Sequence, residues 1–519
     1  MGAQIVERGE LDGIVERRPG SVRVNQFNRT VIHDAGEEIS QRRAGRVAAG
    51  HMRGVAAQGE AVDSGVTLFA GEAEGRLDEI LKAAYERRLQ PIYNFMNDLP
   101  QLNGQPIPFL PKAQVTRYFR DLGCFDAGRG CPFSCSFCTI INVQGRKSRY
   151  RNADDVERLL RANAAQNVHR YFITDDNFAR NRNWEAIFDR IIELREKEGF
   201  QTNFVMQVDT LCHKIQNFVE KAARAGCKRV FLGLENINPD SLKGASKNQN
   251  RITEYRKMLL AWRNAGVITY CGYILGFPTD TPETIERDIK IIQQELPIDM
   301  LEFFILTPLP GSQDHKDLYL KSAWMDPDMN KYDLEHVTSE HPLMSKQEWQ
   351  GIYDRAWHMY YSWDHIETLI KRAVATVSSF RLADMIFQFY GSYVYEKLHP
   401  LQTGLIRRKV RTQRRHGMPR VNPFLFYPWR LWDILTTYIP GLLFQSKLHR
   451  LRKRIERDPD AARYTDLAIT PVLETNEENL RMYQSTESAR AALAKAKAKE
   501  QAVRSRITPQ RLAGEVQAK

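Results

Sequence analysis

The first 123 residues of this 519-residue chain contain no cysteine, although the whole chain has seven. An odd number, with three of them in one short loop, does not fit the disulfide framework of a small secreted protein. The sequence also lacks an uninterrupted apolar run of about 18 residues, which a membrane-spanning helix would need. It has no basic start followed by an apolar stretch, so a signal peptide is not expected. We therefore expect the protein in the cytoplasm.

The charge balance of the chain is basic. Its net charge is +12, and hydrophobic residues make up 42% of the sequence. That hydrophobic fraction and the chain length allow two or three domains with substantial cores. A basic chain can bind nucleic acid, but no recognised RNA-reading module is present, so no nucleic-acid partner is expected. The basic residues concentrate in the C-terminal third, which favours a surface or membrane role.

Three cysteines at the spacing C-x3-C-x2-C are the most informative pattern in the sequence: Cys131, Cys135 and Cys138. A structural zinc ion usually has four nitrogen or sulfur ligands, whereas only three are local here. Three thiolates suit a [4Fe-4S] cluster that keeps one iron open for a substrate or cofactor. A chance grouping of buried or zinc-binding cysteines is the alternative.

The loop that carries these cysteines resembles the cluster loop of the radical S-adenosylmethionine (radical SAM) superfamily. In that family the open iron chelates the amino and carboxylate groups of SAM. One electron then cleaves SAM to a 5′-deoxyadenosyl radical, which abstracts hydrogen from the substrate. The resemblance implies that the three cysteines are the cluster ligands and that Phe137 lies near the adenine. A methylthiotransferase is not expected, because that subgroup carries a second set of cysteines upstream.

Short apolar strands alternate with helical runs over residues 121–312. Strands are predicted near 122–128, 170–174, 203–208, 229–234, 268–275 and 301–306, and helices near 154–166, 182–198, 214–225, 251–265 and 281–295. Repeated βα units form parallel sheets with right-handed crossovers. The predicted fold is therefore α/β, a partial (βα)6 TIM-like barrel of the radical SAM type. In such barrels the chemistry gathers at the carboxyl ends of the strands.

Polar residues and glycines follow the predicted strands where this barrel would hold SAM. Carboxylates there can accept hydrogen bonds from the SAM amino group or ribose, and glycines let the backbone approach the adenine. The resemblance thus implies these SAM-binding residues in addition to Phe137: Asp175, Asp176, Asn177, Asp209, Glu235, Gly272 and Gly276. The alternatives are a helix-capping role for Asp175 and Asp176 and a structural turn at Asp209. The pattern assigns no catalytic acid or base.

The N-terminal 120 residues resemble a shortened cobalamin domain of the kind that precedes some radical SAM barrels. Residues 67–120 match its closing strand, turn and helix, followed by a proline-marked linker, whereas residues 1–66 are divergent or disordered. His51 and Gly54 fit the Asp-x-His-x-x-Gly signature of that domain, but Ala49 stands where the aspartate is expected. Cobalamin is a possible cofactor on this basis, and a radical SAM enzyme without cobalamin is the alternative.

Three further regions follow the predicted barrel. Residues 313–400 are rich in aromatic residues and are expected to form a helical region that covers the substrate, with most rings in a core. Residues 401–483 contain an aromatic and aliphatic stretch between two cationic clusters, which is typical of a helix on an anionic membrane surface. A docked helix with a basic outer face is the alternative. Residues 484–519 form a charged tail.

These features together indicate a radical SAM enzyme of the cobalamin-associated branch. The resemblance implies a C-methyltransferase or an oxidative or cyclising enzyme of lipid, tetrapyrrole or natural-product metabolism. The expected partners are a small-molecule or lipid substrate and an electron donor such as flavodoxin or ferredoxin. The expected location is the cytoplasm or the inner face of the membrane. A non-catalytic iron–sulfur or zinc-binding protein is the alternative.

Overall fold

The computed structural model of the protein describes residues 22–25, 29–33, 66–107, 109, 111–115, 122–376, 379–402, 407, 409–412 and 419–517. Its strands are β1 (Val22–Asn25), β2 (Arg29–His33), β3 (Val66–Ala70), β4 (Ile92–Asn94), β5 (Gly123–Phe125), β6 (Gly128–Arg129), β7 (Arg149–Tyr150), β8 (Arg170–Ile173), β9 (Asn203–Val208), β10 (Cys227–Glu235), β11 (Ile268–Leu275) and β12 (Met300–Ile305). Its helices are α1 (Leu77–Tyr85), α2 (Lys112–Val115), α3 (Ile140–Val143), α4 (Ala153–Ala164), α5 (Trp184–Glu198), α6 (Phe218–Ala225), α7 (Pro239–Gly244), α8 (Ile252–Asn264), α9 (Pro282–Glu295), α10 (Gln313–Leu320), α11 (Lys346–Tyr360), α12 (Trp363–Thr376), α13 (Ser379–Gly391), α14 (Pro423–Asp433), α15 (Ile439–Glu456), α16 (Arg481–Gln484) and α17 (Glu487–Gln517). The π-helical turns Ser392–Glu396 and Ile434–Tyr438 follow α13 and α14.

Six parallel strands form the central sheet, in the order β12-β11-β10-β9-β8-β5. Helices connect successive strands of this sheet, so it is built from βα units, as the alternation in the sequence predicts. The strands β5 and β12 are its two edges, which is the arrangement of a partial barrel. The prediction of an α/β fold with a parallel barrel sheet is confirmed, and β9 and β11 begin and end at the predicted residues.

The strands at the β12 side of the sheet lie inside the protein. Every residue of β11 and β12 is buried, which explains why both strands are nearly continuous apolar runs in the sequence. Helix α8 contacts β11, and helix α11 contacts β12. The N–H of Ile305 donates a hydrogen bond to the Leu334 carbonyl at 2.8 Å, so the chain after the barrel also covers part of the β12 edge.

The first barrel strand is shorter than predicted. The sequence predicts a strand over 122–128, but β5 ends after three residues, and β6 pairs with β7 in a separate antiparallel ribbon. The chain leaves the sheet at Ala127, whose N–H donates a 2.7 Å hydrogen bond to the carboxylate of Asp175. A buried acceptor at the end of β8 therefore diverts the chain into the ribbon that leads to Cys131.

A second sheet of four strands, in the order β1-β2-β3-β4, belongs to the N-terminal part of the chain. Strands β3 and β4 are parallel and are joined by α1 over a small core of Phe69, Ile80 and Tyr93. The strand and helix predicted after residue 66 are therefore present. Strands β1 and β2 fall within residues 1–66, whereas residues 49–54, with the partial cobalamin signature, lie outside the described residues.

Helices α11 to α13 pack against the barrel through an aromatic core. Trp349, Trp357, Tyr360 and Tyr361 are buried, and the ring of Trp357 stacks on that of Tyr393 with 4.8 Å between their centres. These rings are core residues, as expected. Helices α14 and α15 follow, and α17 forms the charged tail. In the described part of the chain, no helix combines the length and apolar character needed to cross a bilayer.

Candidate functional site

The cysteine loop is attached to three separate parts of the chain. The N–H of Cys131 donates to the Gly145 carbonyl at 3.2 Å, and the N–H of Ser136 donates to the Ala245 carbonyl at 3.0 Å. The Ser136 carbonyl in turn accepts from the N–H of Asp314 at 3.1 Å. These contacts join the loop to the β6–β7 connection, to the segment after α7 and to the start of α10. The loop backbone is therefore held at the carboxyl edge of the central sheet.

The three thiols of this loop fit a [4Fe-4S] cluster. Cys135 is buried, Cys131 and Cys138 are half-buried, and the N–H of Cys138 donates to the Cys135 carbonyl at 3.2 Å in a tight turn. Within the described residues, no three His, Cys, Asp or Glu side chains converge closely enough to hold a single metal ion. Cluster ligands each bind a different iron, so they stand further apart than the ligands of one ion. Three thiols in one short loop are the type of ligand set that a [4Fe-4S] cluster takes.

The segment after α7, residues 245–250, contacts this loop through its side chains. Gln249 donates a hydrogen bond from Nε2 to the Sγ of Cys135 at 3.3 Å. Asn250 donates from Nδ2 to two carbonyls at the end of β10, each at 2.8 Å. The segment thus connects a proposed cluster ligand to the sheet. Hydrogen bonds to the sulfurs are among the factors that set the reduction potential of a cluster.

Glu235 and Lys247 form a buried ion pair at the end of β10, with Oε1 and Nζ 2.5 Å apart. Glu235 has a positive φ of 64°, which is uncommon for a residue with a side chain. A Cβ atom at Gly233 would lie 2.6 Å from Glu235 Oε1. Lys247 Nζ also lies 5.4 Å from the centre of the Phe137 ring. Glu235, a predicted SAM residue, is therefore joined to the cysteine loop through a lysine.

The two aspartates that follow β8 have different surroundings. The Asp175 carboxylate accepts hydrogen bonds from the N–H of Ala127 at 2.7 Å and from Asn181 Nδ2 at 3.0 Å. Asp176 Oδ2 is buried and has no hydrogen-bond partner among the described residues. Burial raises the pKa of each carboxyl group to about 7. Asp175 therefore supports the entry to the cysteine loop, while Asp176 is available to a ligand.

A small cleft adjoins the cysteine loop on this side. It is a shallow depression lined by residues 128–130 and by Ser148, Asp175, Asp176, Asn177 and Asn181. Cys131 follows directly in the chain. The cleft therefore places Asp176 beside the entry to the cysteine loop.

Asn177 and Asp209 are hydrogen-bonded to each other. Asn177 Nδ2 donates to Asp209 Oδ2 at 3.0 Å, and Asp209 also accepts from Nε and Nη2 of Arg180 at 2.6 and 2.8 Å. The Arg180 guanidinium lies 5.4 Å from the centre of the Phe133 ring in the cysteine loop. In this structure Asn177 and Asp209, both predicted SAM residues, connect the ends of β8 and β9. Through Arg180 they also contact the cysteine loop.

Phe137 lies against the turn that follows β11. Its ring meets that of Phe277 edge to face with 6.4 Å between their centres. The N–H groups of Gly276 and Phe277 both donate to Asp280 Oδ2 at 2.9 Å. Gly276 has a φ of 100°, and a side chain at this position would collide with the ring of Trp349. The structure thus brings together Phe137 and Gly276, which the resemblance places near the adenine.

The sheet face beneath this turn is filled by side chains. A Cβ atom at Gly272 would lie 3.0 Å from the ring of Phe231 and 3.1 Å from that of Phe304, so this glycine allows two rings to pack closely. Glu302, in register with it on β12, accepts from the Tyr270 hydroxyl at 2.9 Å. Burial raises the pKa of Glu302 to about 8, so this carboxyl group is largely protonated at neutral pH.

An ionic network supports the base of the cysteine loop. Glu72 accepts from Nη1 of Arg129 at 2.6 Å and from Nη1 of Arg149 at 2.7 Å. Glu74 accepts from Nη2 of Arg129 at 2.5 Å. Both glutamates belong to the acidic turn after β3, and both arginines belong to the β6–β7 ribbon. The N-terminal βα unit is therefore bound to the ribbon that enters the cysteine loop.

Several of these residues could not be found from motifs in the sequence. Lys247 and Gln249 belong to a connecting loop, and Asp280 lies in the turn between β11 and α9. The one local signal is the position of Asp280 just before the capping residue Thr281 of α9. Lys247 and Gln249 carry no such signal, because their partners lie on distant parts of the chain.

A cluster-type thiol loop at the carboxyl edge of a parallel βα sheet is the arrangement that defines radical SAM domains. Residues 126–292 match the family model of the radical SAM superfamily, so this part of the chain is a radical SAM domain. The family implies a [4Fe-4S] cluster and SAM as cofactors, which the three thiols and the carboxylates around them fit.

Two relatives and one solved structure indicate the range of the similarity. The chain is 27% identical over 279 residues to the bacteriochlorophyllide d C-12(1)-methyltransferase of Chlorobaculum tepidum. This alignment covers 53% of this chain and 59% of that protein. It is 30% identical over 215 residues to the hopanoid C-2 methylase of Rhodopseudomonas palustris. This alignment covers 39% of this chain and 40% of that protein. The structure of the radical SAM methyltransferase TsrM from Kitasatospora setae, with cobalamin and a [4Fe-4S] cluster bound, aligns with a TM-score of 0.43 and 17% identity over 50% of this chain and 57% of that one. The chain thus spans about half the length of these relatives.

Proposed function

We propose that this protein is a radical SAM methyltransferase that acts on a carbon atom of a small-molecule or lipid substrate. The observation that carries the proposal is the position of the three loop cysteines next to Asp176 and to the Glu235–Lys247 pair at one edge of the sheet. The names of the two relatives support methyl transfer over oxidation or cyclisation.

The residues around the loop have separate roles in this proposal. Cys131, Cys135 and Cys138 would hold the cluster. When bound, the cluster and SAM supply a one-electron cleavage of SAM from which the reaction begins. The protein itself binds and orients SAM and excludes water. Phe137 packs on a buried apolar cluster that contains Phe277, and this cluster provides the dry side of the site.

The charged groups of the site match the amino-acid end of SAM. The Oδ2 atom of Asp176, which has no hydrogen-bond partner among the described residues, suits the SAM ammonium group, because a charge-assisted hydrogen bond is strong in a buried site. The Lys247 ammonium group suits the SAM carboxylate, and Glu235 can accept hydrogen bonds from the ribose hydroxyls. Asp175, Asn177 and Asp209 would position these groups indirectly, since both polar atoms of each side chain already bind groups outside the proposed SAM contacts. Glu235 and Lys247, by contrast, bind each other.

Cobalamin has no assigned donor in the described residues. Residues 66–115 contain no histidine, and their acidic turn is occupied, because Glu72 and Glu74 bind Arg129 and Arg149. His51 lies outside the described residues. The proposed methyl transfer therefore assigns no step to cobalamin, and the assay is run with and without this cofactor.

The proposed reaction also needs a source of electrons. A reduced flavodoxin or ferredoxin in the cytoplasm is the class of donor that fits, because each delivers single electrons at a low potential. The substrate is defined only by its class, a small molecule or lipid with an unactivated carbon atom.

The test is anaerobic reconstitution with iron and sulfide, followed by dithionite and SAM, with and without cobalamin. We expect 5′-deoxyadenosine or S-adenosylhomocysteine to form in the wild-type protein and not in the Cys135→Ala variant. Product that requires cobalamin would assign the cobalamin-dependent branch. A cluster that forms without any cleavage of SAM would contradict the proposal, and binding of zinc in place of a cluster would contradict the ligand assignment as well.

A further inference from the structure

The largest group of exposed apolar side chains lies on one helix outside the barrel. Helix α14, the π-helical turn after it and α15 are continuous over residues 423–456, which we call the surface helix. Of the 21 large hydrophobic side chains that are exposed in the described chain, 11 lie between Phe424 and Leu443. Monomeric soluble proteins rarely expose apolar groups at this density without a binding partner.

The exposed apolar residues of the surface helix share a face. Leu431, Leu435, Ile439 and Leu442 recur at spacings of three and four residues, which places them on one stripe. Trp432 is adjacent to this stripe and is 65% exposed. Tryptophan is enriched where an apolar surface meets the headgroups of a membrane, since its ring is apolar and its N–H is polar.

The other face of the surface helix is attached to the protein. Gly441, Phe444 and Leu448 are buried. The ring of Phe444 contacts those of Trp363 and Tyr390, with 5.6 and 5.9 Å between the centres. The helix is therefore fixed along one side, and its apolar stripe faces solvent.

The positive charge of the sequence is concentrated in this helix and in the residues that precede it. Residues 397–455 contain fourteen Lys and Arg and a single acidic residue, Asp433, which gives a net charge of +13 against +12 for the whole chain. The rest of the protein is therefore close to neutral. Asp433 is itself neutralised, because Lys409 lies 2.8 Å from Oδ1 and Arg430 pairs with Oδ2.

Several cations of this region are available to an external partner. Arg420, Arg450 and Lys453 are exposed, and none of them forms an ion pair within the described residues. Arg450 and Lys453 lie on the surface helix two to three turns beyond Leu443. The helix thus presents an aromatic and aliphatic half followed by a cationic half.

We propose that the surface helix docks this protein on an anionic lipid bilayer, with its apolar stripe at the headgroup boundary and its cations on the lipid headgroups. Apolar stripes with cationic neighbours bind such surfaces through buried apolar area plus electrostatic attraction. A second copy of the chain fits poorly, because two faces of this charge would repel each other. A nucleic acid would use the cations but not the exposed leucines. The proposal does not depend on the proposed reaction.

The test is co-sedimentation of the reconstituted full-length protein with vesicles. One set contains phosphatidylcholine alone, and the other contains phosphatidylcholine and phosphatidylglycerol in equal parts. We expect the wild type to sediment with the anionic vesicles only, and less as salt is added. Trp432→Asp with Leu435→Asp, or Arg450→Glu with Lys453→Glu, should each weaken binding at least about tenfold, because each removes one of the two contributions.

Matched controls change the same properties elsewhere. Leu467→Asp with Leu473→Asp replaces two exposed leucines outside the surface helix, and Lys495→Glu with Lys499→Glu makes the same charge change on α17. Both should bind like the wild type, and thermal unfolding should show that all four variants fold.

The proposal would be overturned if the wild type stayed in the supernatant or bound neutral and anionic vesicles equally. Unchanged binding by the Trp432→Asp/Leu435→Asp protein would overturn it too. A wild-type dimer that this variant dissociates, without vesicle binding, would instead assign the surface to a second copy. RNA retention lost only in the Arg450→Glu/Lys453→Glu protein would assign it to nucleic acid.

Discussion

The side-chain amide of Gln249 donates a 3.3 Å hydrogen bond to the Sγ of Cys135, the most buried of the three loop thiols. Such a bond withdraws electron density from a ligand sulfur and so favours the reduced form of a bound cluster. We expect Gln249→Leu to lower the reduction potential by about 30–60 mV, where about 59 mV is a tenfold change for a one-electron couple. An anaerobic redox titration followed by electron paramagnetic resonance measures this shift.

The control for this prediction is Gln201→Leu, because Gln201 is exposed and its side-chain amide donates to the Gly199 carbonyl at 3.3 Å, away from the loop. The reduction potential of the cluster in Gln201→Leu should equal that in the wild type. If Gln249→Leu also leaves the potential unchanged, the amide is not a donor to the bound ligand, and Gln249 only packs against the loop.

Replacement of any loop cysteine by alanine should remove the cluster. Each of Cys131, Cys135 and Cys138 is expected to bind a different iron, so the loss of one thiolate leaves an iron without a protein ligand. Cys227→Ala is the matched control, because this thiol is buried and donates to the Arg229 carbonyl at 3.1 Å away from the loop. Iron and sulfide content and the visible absorption of the reconstituted proteins measure the outcome. A loop variant with wild-type iron content would remove that cysteine from the ligand set.

The barrel elements could be predicted because they follow from local patterns. Strand β11 is buried on both faces and is therefore a continuous apolar run with sharp ends. The end of β5 could not be predicted in this way. It depends on a hydrogen bond from Ala127 to Asp175, which is 48 residues further along the chain. A boundary set by a distant acceptor leaves no periodic signal.

The site shows the same division between local and long-range information. The cysteine spacing, Phe137 and Glu235 could be singled out from motifs, because the resemblance associates these residue types with the proposed cofactors. Lys247 and Gln249 could not, since a lysine or glutamine in a loop is unremarkable until folding brings it to Glu235 or Cys135. Nor could the sequence show which of Asp175 and Asp176 is available to a ligand, because the two carboxylates differ only in their hydrogen-bond partners.

The Glu235–Lys247 pair should matter for SAM binding and not for the cluster. In Glu235→Gln a neutral amide replaces the carboxylate that is proposed to accept from the SAM ribose, and a hydrogen bond to a charged group contributes about 1.5–3 kcal/mol. We therefore expect SAM to bind about 10- to 100-fold more weakly, with an unchanged visible spectrum. Equilibrium binding of SAM to the reconstituted protein measures the effect. Glu193→Gln, which breaks an exposed pair with Lys197, is the control, and equal affinity in the two variants would place Glu235 outside the site.

Glu72 should stabilise the N-terminal unit on the cysteine loop. Its carboxylate is 1% exposed and neutralises both Arg129 and Arg149. Removal of one partner from a buried ionic cluster typically costs about 3–5 kcal/mol, because the remaining charges are left unpaired. We expect Glu72→Gln to lower the free energy of unfolding by that order in denaturant titrations. Glu86→Gln, at an exposed pair with Arg88, should cost less than about 1 kcal/mol. Similar values for the two variants would show that the network is not stabilising.

Glu302 should make the stability of the protein depend on pH. Burial raises the pKa of Glu302 to about 8, while the Tyr270 hydroxyl donates to it at 2.9 Å. Between about pH 4.5 and pH 8 the unfolded chain loses the proton of this carboxyl group, whereas the folded protein keeps it. The stabilisation is therefore complete at low pH and is lost as the pH rises toward 8.

The variant that tests this is Glu302→Gln, which keeps an acceptor for Tyr270 and cannot ionise. Burial also raises the pKa of Asp280 and Glu335 to about 7, so the relevant quantity is the difference between the wild type and the variant. We expect the wild type to lose more free energy of unfolding than the variant between about pH 5 and pH 8, by a few kcal/mol. Glu340→Gln, at an exposed carboxylate, should keep the wild-type profile. Parallel profiles for the wild type and Glu302→Gln would mean that Glu302 is already ionised in the folded protein, and the sheet face beneath the site would then carry a buried negative charge.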